Sequence, residues 1–157
     1  MRVEYINPFV EAAYTILNEV LAGTEVKRGE LALKPPAISI MGVAALVGLG
    51  GDVEGRVLFD MTKETALAVS GAMNGEPFTV MDELAKATIQ ELANMITAQA
   101  VTRLRDLGFK FDLSPPALFT GETMEDSDNL NVEALVVPMN LGSMGKIEVN
   151  VAIRERL

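Results

Sequence analysis

The amino-acid sequence predicts an α+β fold, with a largely antiparallel sheet of about six strands, one long central helix and two further helices packed on it. Segments with apolar residues at helical spacing are followed by shorter runs rich in Val, Ile, Leu and Ala, as expected of strands. Short turn sequences such as Gly50-Gly51-Asp52 join consecutive runs, which is typical of antiparallel neighbours. No low-complexity linker interrupts residues 1–157, so we expect a single domain.

Three helices are predicted from apolar residues that recur every three or four positions. They cover about residues 8–22, 63–74 and 80–107. Residues that favour helix starts precede them: Asn7 with Pro8, Thr62, and Thr79 with Asp82 in a near capping box. Glycine follows the helices, at Gly23, Gly75 and Gly108, where a left-handed backbone conformation can end a helix.

The remaining apolar runs predict strands. They lie at about 25–34, 37–49, 53–60, 109–113, 117–120, 131–139 and 146–154, with a polar turn at 125–129. Val57 and Phe59 share one face of their strand. Pro138 cannot donate a hydrogen bond to a neighbouring strand, so we expect an edge strand or a strand end there. The last two strands predict a hairpin whose edges could pair with another chain.

The chain contains no histidine and no cysteine. This excludes Ser-His-Asp triads, phosphohistidine relays, thiolate chemistry, disulfides and nearly all zinc sites. The formal net charge of −9 repels nucleic acid and anionic lipid, so neither is an expected partner. The first residues do not resemble a signal peptide, and the apolar run 37–51 is too short to cross a membrane. We therefore expect a soluble, cytoplasmic protein.

The long helix has one apolar face and one sparsely polar face. At about 100° per residue, the apolar positions form a stripe that should face the sheet: Ile89, Leu92, Ala93, Ile96, Ala100, Leu104 and Leu107. Glu91 and Asn94 lie on the other side, where a spacing of three makes them neighbours. Their arc also holds the uncharged residues Ala87, Ala98 and Val101. A solvated face usually repeats Glu and Lys, so this one indicates a surface that another protein can approach. The competing interpretation is a pair that is simply solvated.

The segment Glu91-Leu92-Ala93-Asn94-Met95-Ile96 resembles the signature of the CheX/CheC/FliY chemotaxis phosphatases. That signature is Asp or Ser, three residues, Glu, two residues, Asn, about twenty-two residues and Pro. The segment Tyr5-Ile6-Asn7-Pro8-Phe9 resembles the start of the N-terminal helix of CheX, and 50–55 resembles its central hairpin. The order of elements is similar over nearly the whole chain, which implies a CheC/CheX-like fold.

Two signature positions differ in this chain. The Asp or Ser position falls on Ala87, and the Pro position falls on Ala117, just after Pro115-Pro116. CheC-type members repeat the Glu and Asn pair on the first helix, where this chain has Glu11 with Tyr14 and therefore no amide. This difference favours a CheX-like arrangement with one site in each chain.

The resemblance implies a phosphatase that acts on the phospho-aspartate of a CheY-type receiver domain, and it implies a homodimer. The partner would supply Mg²⁺ and a lysine that neutralise the phosphoryl group, and this chain would bind no cofactor or metal itself. The expected catalytic residues are Asn94, which would orient the attacking water, and Glu91, which would dock the partner's lysine.

Other interpretations remain open. One is a non-catalytic binding or scaffold module for phosphorylated receiver domains with the same fold. Another is an unrelated α+β assembly domain. Residues 42–55 contain neither G-x-G-x-x-G nor a following Lys-Ser/Thr, so they predict a hairpin rather than a phosphate-binding loop. The acidic residues Glu122, Glu125, Asp126 and Asp128 do not have EF-hand spacing and predict a solvated turn.

Overall fold

The helices and strands follow one another along the chain largely in the predicted order. A computed structural model of the protein describes residues 3–35, 39–121 and 133–156. The helices are α1 (Val3–Val20), α2 (Lys63–Asn74) and α3 (Glu83–Asp106). The strands are β1 (Lys27–Arg28), β2 (Ala32–Lys34), β3 (Val43–Gly51), β4 (Val53–Met61), β5 (Phe111–Leu113), β6 (Ala117–Thr120), β7 (Ala134–Asn140) and β8 (Lys146–Glu155).

The strands of the described residues form one antiparallel sheet in the order β1-β7-β8-β4-β3-β5. Each edge consists of two short strands, because β2 also pairs with β7 and β6 also pairs with β3. These pairings confirm the predicted α+β class and the largely antiparallel sheet. The predicted C-terminal hairpin β7–β8 is present but lies inside the sheet. The prediction that these two strands offer free edges is therefore wrong.

One hydrophobic core holds α1 and α3 on the same face of the sheet. Val57 and Phe59 of β4 belong to this core, as predicted, together with Phe9 of α1 and Ile89 and Ile96 of α3. Helix α1 packs along α3 and β8, and α3 also packs on β3. One side of α3 is thus fixed against the core, and the other side is left for the solvent.

Two helices begin at different residues from those predicted. Helix α1 already includes Val3, so Pro8 lies inside it and removes the amide that would bond to the carbonyl of Glu4. Burial of Tyr5 offsets this loss, because its ring packs edge-on against Phe109 with centroids 5.0 Å apart. Helix α3 begins after Asp82 rather than near residue 80. By contrast, α2 spans the predicted residues, and Thr62 is its cap.

Pro138 lies inside β7, which is not an edge strand. Its carbonyl accepts a hydrogen bond from the Gly29 N–H (2.7 Å) at the break between β1 and β2. A Cβ atom at Gly29 would lie 2.6 Å from the Pro138 ring, so the close approach needs glycine. The proline is tolerated because it faces a gap in the neighbouring ladder.

The opposite face of the sheet carries buried polar side chains. Asp60 of β4 lies directly across from Glu148 of β8, and their exposed fractions are 5% and 9%. Asp60 accepts a hydrogen bond from the Met41 N–H (2.9 Å), and Lys34 Nζ lies 3.0 Å from Glu148 Oε1. Burial raises the pKa of Asp60, and the neighbouring Glu148 raises it further, against the lowering effects of the Met41 N–H and Lys34.

Some predictions fall on residues beyond the described ranges. The predicted polar turn at 125–129, with the acidic residues around it, is outside them, as are residues 37–38 and 131–132 of two predicted strands. Within the described ranges, none of the helices has both the length and the apolar character needed to span a bilayer.

Candidate active site

The candidate site lies on α3, whose ends are fixed by local hydrogen bonds. The Asp82 side chain accepts from the Ala85 N–H (2.8 Å) at the start, and the Leu107 N–H bonds to carbonyls of the last turn. The predicted apolar stripe is buried apart from Leu107, which is 61% exposed because the helix has ended there. Val101, expected on the open face, is only 7% exposed. The core therefore holds the inner side of α3 in place, and the outer side of the helix remains exposed.

Glu91 and Asn94 both lie on the exposed side of α3, as predicted. They line one wall of an open groove of about 520 Å³, together with Ala87 and Gln90. The opposite wall is Leu113 at the end of β5 and the connector from β5 to β6, residues 114–116. Asn94 follows Glu91 by three positions and Gln90 by four, so both are its neighbours on the helix. The structure thus brings the two predicted residues together in one groove.

The groove combines an anionic group with a neutral one. Among the described residues, no cation is paired with Glu91, so its carboxylate is available to an incoming ammonium group. Asn94 offers amide donors and a carbonyl acceptor without a net charge. The exposed neighbours Ala87 and Ala98 are small, so another protein can approach α3 closely. This arrangement can dock a cation and orient a water molecule beside it.

The connector between β5 and β6 is anchored on both sides of the groove. The Ser114 N–H donates to the Gly48 carbonyl (3.0 Å), and Ser114 Oγ accepts from the Gly48 N–H (2.7 Å). On the other side, Gln90 Nε2 donates to the Pro116 carbonyl (3.1 Å). Pro115 and Pro116 therefore border the groove, whereas Ala117, the residue at the signature's proline position, begins β6.

Sequence reasoning missed these wall residues as parts of the site. Neither Gln90 nor Ser114 was singled out from the sequence, and Pro115-Pro116 was noted only as lying just before the signature's proline position. A signal was present, since Gln90 is spaced for contact with Asn94 and the two prolines lie close to the signature's proline position. Gln90 and Pro116 are 26 residues apart in sequence, so no local sequence pattern could predict their hydrogen bond.

The possible second site on α1 has another use in this structure. Glu11 forms an ion pair with Arg103 of α3, with Nη1 and Oε2 2.9 Å apart, and the same guanidinium reaches Thr15 Oγ1 at 3.4 Å. Tyr14 is exposed and offers no amide. Glu11 thus links the two helices, in keeping with the expectation of one site in each chain.

The glycine-bearing segment predicted as a hairpin does not form a competing site. Residues 43–51 and 53–61 are the strands β3 and β4, so the glycine-bearing segment is the predicted hairpin rather than a phosphate-binding loop. In the ranges that the structure describes, no group of three or more carboxylates could hold a metal ion. The acidic residues Glu122, Glu125, Asp126 and Asp128 lie outside those ranges.

Comparisons with known proteins agree with this fold. The family model of chemotaxis phosphatase CheX matches residues 43–140, a range that includes Glu91 and Asn94. The CheY-P phosphatase CheX of Thermotoga maritima is 31% identical over 130 residues, which cover 80% of this chain and 81% of that protein.

Solved structures give the same result over nearly the full length. The CheX–CheY–BeF3–Mg²⁺ complex from Borrelia burgdorferi contains a chain with 42% identity and a TM-score of 0.85, covering 98% of this chain and 100% of its own. The chemotaxis protein CheX from Desulfovibrio desulfuricans has 26% identity and a TM-score of 0.83, covering 97% and 100%. The chain therefore belongs to the CheX family of chemotaxis phosphatases.

Proposed function

We propose that this protein removes the phosphoryl group from the phospho-aspartate of a CheY-type response regulator. The observation that carries the proposal is the exposed pair Glu91 and Asn94, side by side in an open groove of a CheX-family chain. The Thermotoga relative is named a CheY-P phosphatase, and the Borrelia relative was solved with CheY, which supports the same class of partner.

The reaction requires few catalytic groups from the phosphatase. A water oxygen forms a new bond to phosphorus as the bond from phosphorus to the aspartyl oxygen breaks, releasing phosphate and the free carboxylate. The receiver domain supplies Mg²⁺ and a lysine to neutralise the phosphoryl oxygens, and this chain binds no metal of its own. Positioning of the water is then the main catalytic contribution, and no histidine or cysteine is required.

Asn94 orients the attacking water. Its amide can accept from the water and donate to it, and it carries no charge that would repel the phosphoryl oxygens. Glu91 docks the partner's active-site lysine, because its carboxylate is exposed and unpaired among the described residues. Their adjacent positions on α3 place the docked cation and the water within one turn of helix.

The test follows the decay of the aspartyl phosphate of a purified CheY-type receiver domain from the same genome. Wild type should accelerate the decay. Asn94→Ala should fold and bind, but lower the rate by about 10²-fold or more, since it loses the water-orienting amide. Glu91→Ala should weaken both binding and rate. Asn18→Ala and Glu19→Ala serve as matched controls, because both residues are exposed on α1 outside the groove.

Normal activity in Asn94→Ala would refute the proposed mechanism, and unchanged affinity in Glu91→Ala would remove the docking role. If wild type accelerates the decay of none of the receiver domains of the genome, the protein is instead a non-catalytic binding or scaffold module. Partner capture, measured as binding of the phosphorylated receiver domain, then becomes the defining activity.

The wider setting is part of the proposal. We expect residues 1–157 to act as a single CheX-like domain, to form a homodimer and to work in the cytoplasm, where response regulators are found. The net charge of −9 disfavours nucleic acid and anionic membrane surfaces as partners.

A further inference from the structure

The groove wall opposite Asn94 is a stiff connector. Its two consecutive prolines, Pro115 and Pro116, have a restricted φ and also restrict the residue before each of them. The flanking strands both pair with β3, in the registers Leu49↔Leu113 and Leu46↔Ala117. The connector therefore has little freedom of its own, and its few anchoring contacts set its position.

One anchor ties the connector to the sheet. Ser114 and Gly48 exchange two hydrogen bonds, one of which uses Ser114 Oγ in place of a backbone carbonyl. A Cβ atom at position 48 would lie 3.0 Å from Ser114 Oγ, so glycine allows this approach. The sheet side of the connector is thus fixed.

The other anchor ties the connector to α3 and uses Gln90. For the described residues, the bond from Gln90 Nε2 to the Pro116 carbonyl is the one hydrogen bond between the connector and this helix. The amide carbonyl cannot donate, so the bond also fixes which end of the Gln90 side chain faces the wall. Gln90 immediately precedes Glu91 and lies one turn before Asn94. The distance from the wall to Asn94 is therefore set within a single turn of helix.

We propose that Gln90 is a positioning residue of the phosphatase site, an inference that rests on the proposed function. By holding Pro116, Gln90 fixes the wall against which the phosphoryl-bearing surface of the receiver domain docks. The wall then sets the distance from the phosphorus to the water on Asn94. Displacements near 1 Å can lower the rate of such a reaction by about 10²-fold, so a loosened wall should reduce the rate of the chemical step.

The test compares two identical substitutions on the same helix. Gln90→Met keeps the length of the side chain but cannot donate to Pro116. Gln99→Met is the matched control, because Gln99 lies outside the groove and its Oε1 has no hydrogen-bond partner among the described residues. Gln90→Met should lower kcat about tenfold and keep KM for the phosphorylated receiver domain within about twofold, whereas Gln99→Met should change neither.

A second variant makes the result independent of how well Gln90→Met folds. Ser114→Ala removes the Oγ hydrogen bond of the anchor on β3 but keeps the backbone bond to Gly48, and it should also lower kcat without raising KM. Thermal denaturation of each variant separates loss of folded protein from loss of rate. A folded Gln90→Met with wild-type kcat, or with a raised KM and unchanged kcat, would overturn the inference, as would an unchanged kcat in Ser114→Ala. If any of these results is found while Asn94→Ala is inactive, only the role of Gln90 is overturned. If Asn94→Ala is active, the proposed mechanism itself is overturned.

Discussion

Asn94 shows at the scale of one residue how function can oppose local stability. Asparagine in the interior of a helix is less favourable than alanine by about half a kcal/mol. The core does not require it, because the side chain is exposed and the residues around it in sequence, such as Ala93 and Ile96, fill the core. Under the proposed function, a neutral amide in this position supplies donors and an acceptor without charge. The same requirement excludes a second carboxylate beside Glu91.

Asp60 presents the opposite case, a charged residue in a buried place. Because its pKa is raised by burial and by Glu148, the folded protein retains the Asp60 proton to higher pH than the unfolded chain does. The free energy of unfolding that Asp60 contributes is therefore fully present below the ordinary pKa of 3.8 and is lost as pH rises through the folded value. Ionisation of the buried Asp60 side chain therefore opposes folding, and Lys34 offsets part of this effect.

Asp60→Asn should therefore stabilise the protein increasingly as pH rises. The amide keeps an acceptor for the Met41 N–H and removes both the buried charge and its repulsion with Glu148. Thermal denaturation at about pH 4 and pH 7 should show the Tm difference, variant minus wild type, growing with pH. Asp112→Asn is the control, since Asp112 is exposed on β5. A Tm difference that shrinks with pH would contradict the raised pKa of Asp60.

The positions of some groove residues could be predicted from the sequence, and those of others could not. Glu91 and Asn94 were predictable because helical spacing places them on one face and because the chain resembles a known signature. Gln90 and Pro116 were not, because their hydrogen bond depends on β6 returning beside α3. Val101 was misplaced because the strands and helices packed around α3 cover more of its circumference than the sequence indicated.

The start of α3 can be tested as a separate element. Asp82→Ala removes the acceptor for the Ala85 N–H and should lower the free energy of unfolding by about 1 kcal/mol. Asp82→Asn keeps an acceptor and should stay within a few tenths of a kcal/mol of wild type. Urea denaturation measures both variants. Equal losses in the two would show that the carboxylate charge, rather than the cap hydrogen bond, stabilises the helix.

Elements with strong local signals were predicted best. Both ends of α2 follow from Thr62 and Gly75, whose cap hydrogen bonds are local. Helix α1 begins earlier than predicted because Tyr5 is buried against Phe109, more than a hundred residues away in sequence. In α3 the sequence predicted a start at about residue 80 after Thr79, whereas Asp82 is the cap. Tertiary contacts decide such cases, and local propensity cannot.

At the scale of the whole molecule, the order of strands was the least predictable feature. The last strand, β8, pairs with β4 and β7 at the middle of the sheet, although nothing local to residues 146–155 indicates this. This strand order determines which strands lie at the edges of the sheet, where another chain could pair. In the described part of the chain, β2 pairs only with β7, and its residue Leu33 is 64% exposed. One edge available to a partner is thus formed by the short strands β1 and β2 rather than by the C-terminal hairpin.

A homodimer that pairs through this edge should depend on Leu33 of β2 and on Leu31 just before the strand, because both side chains are exposed. Sedimentation velocity should give twice the monomer mass of 16.9 kDa for wild type. Replacing both leucines by lysine, a residue that discourages pairing at sheet edges, should shift the protein to monomer. Val80→Lys, at an equally exposed apolar residue away from β2, should remain dimeric. A monomeric wild type would refute the dimer, and a dimeric double variant would place its interface elsewhere.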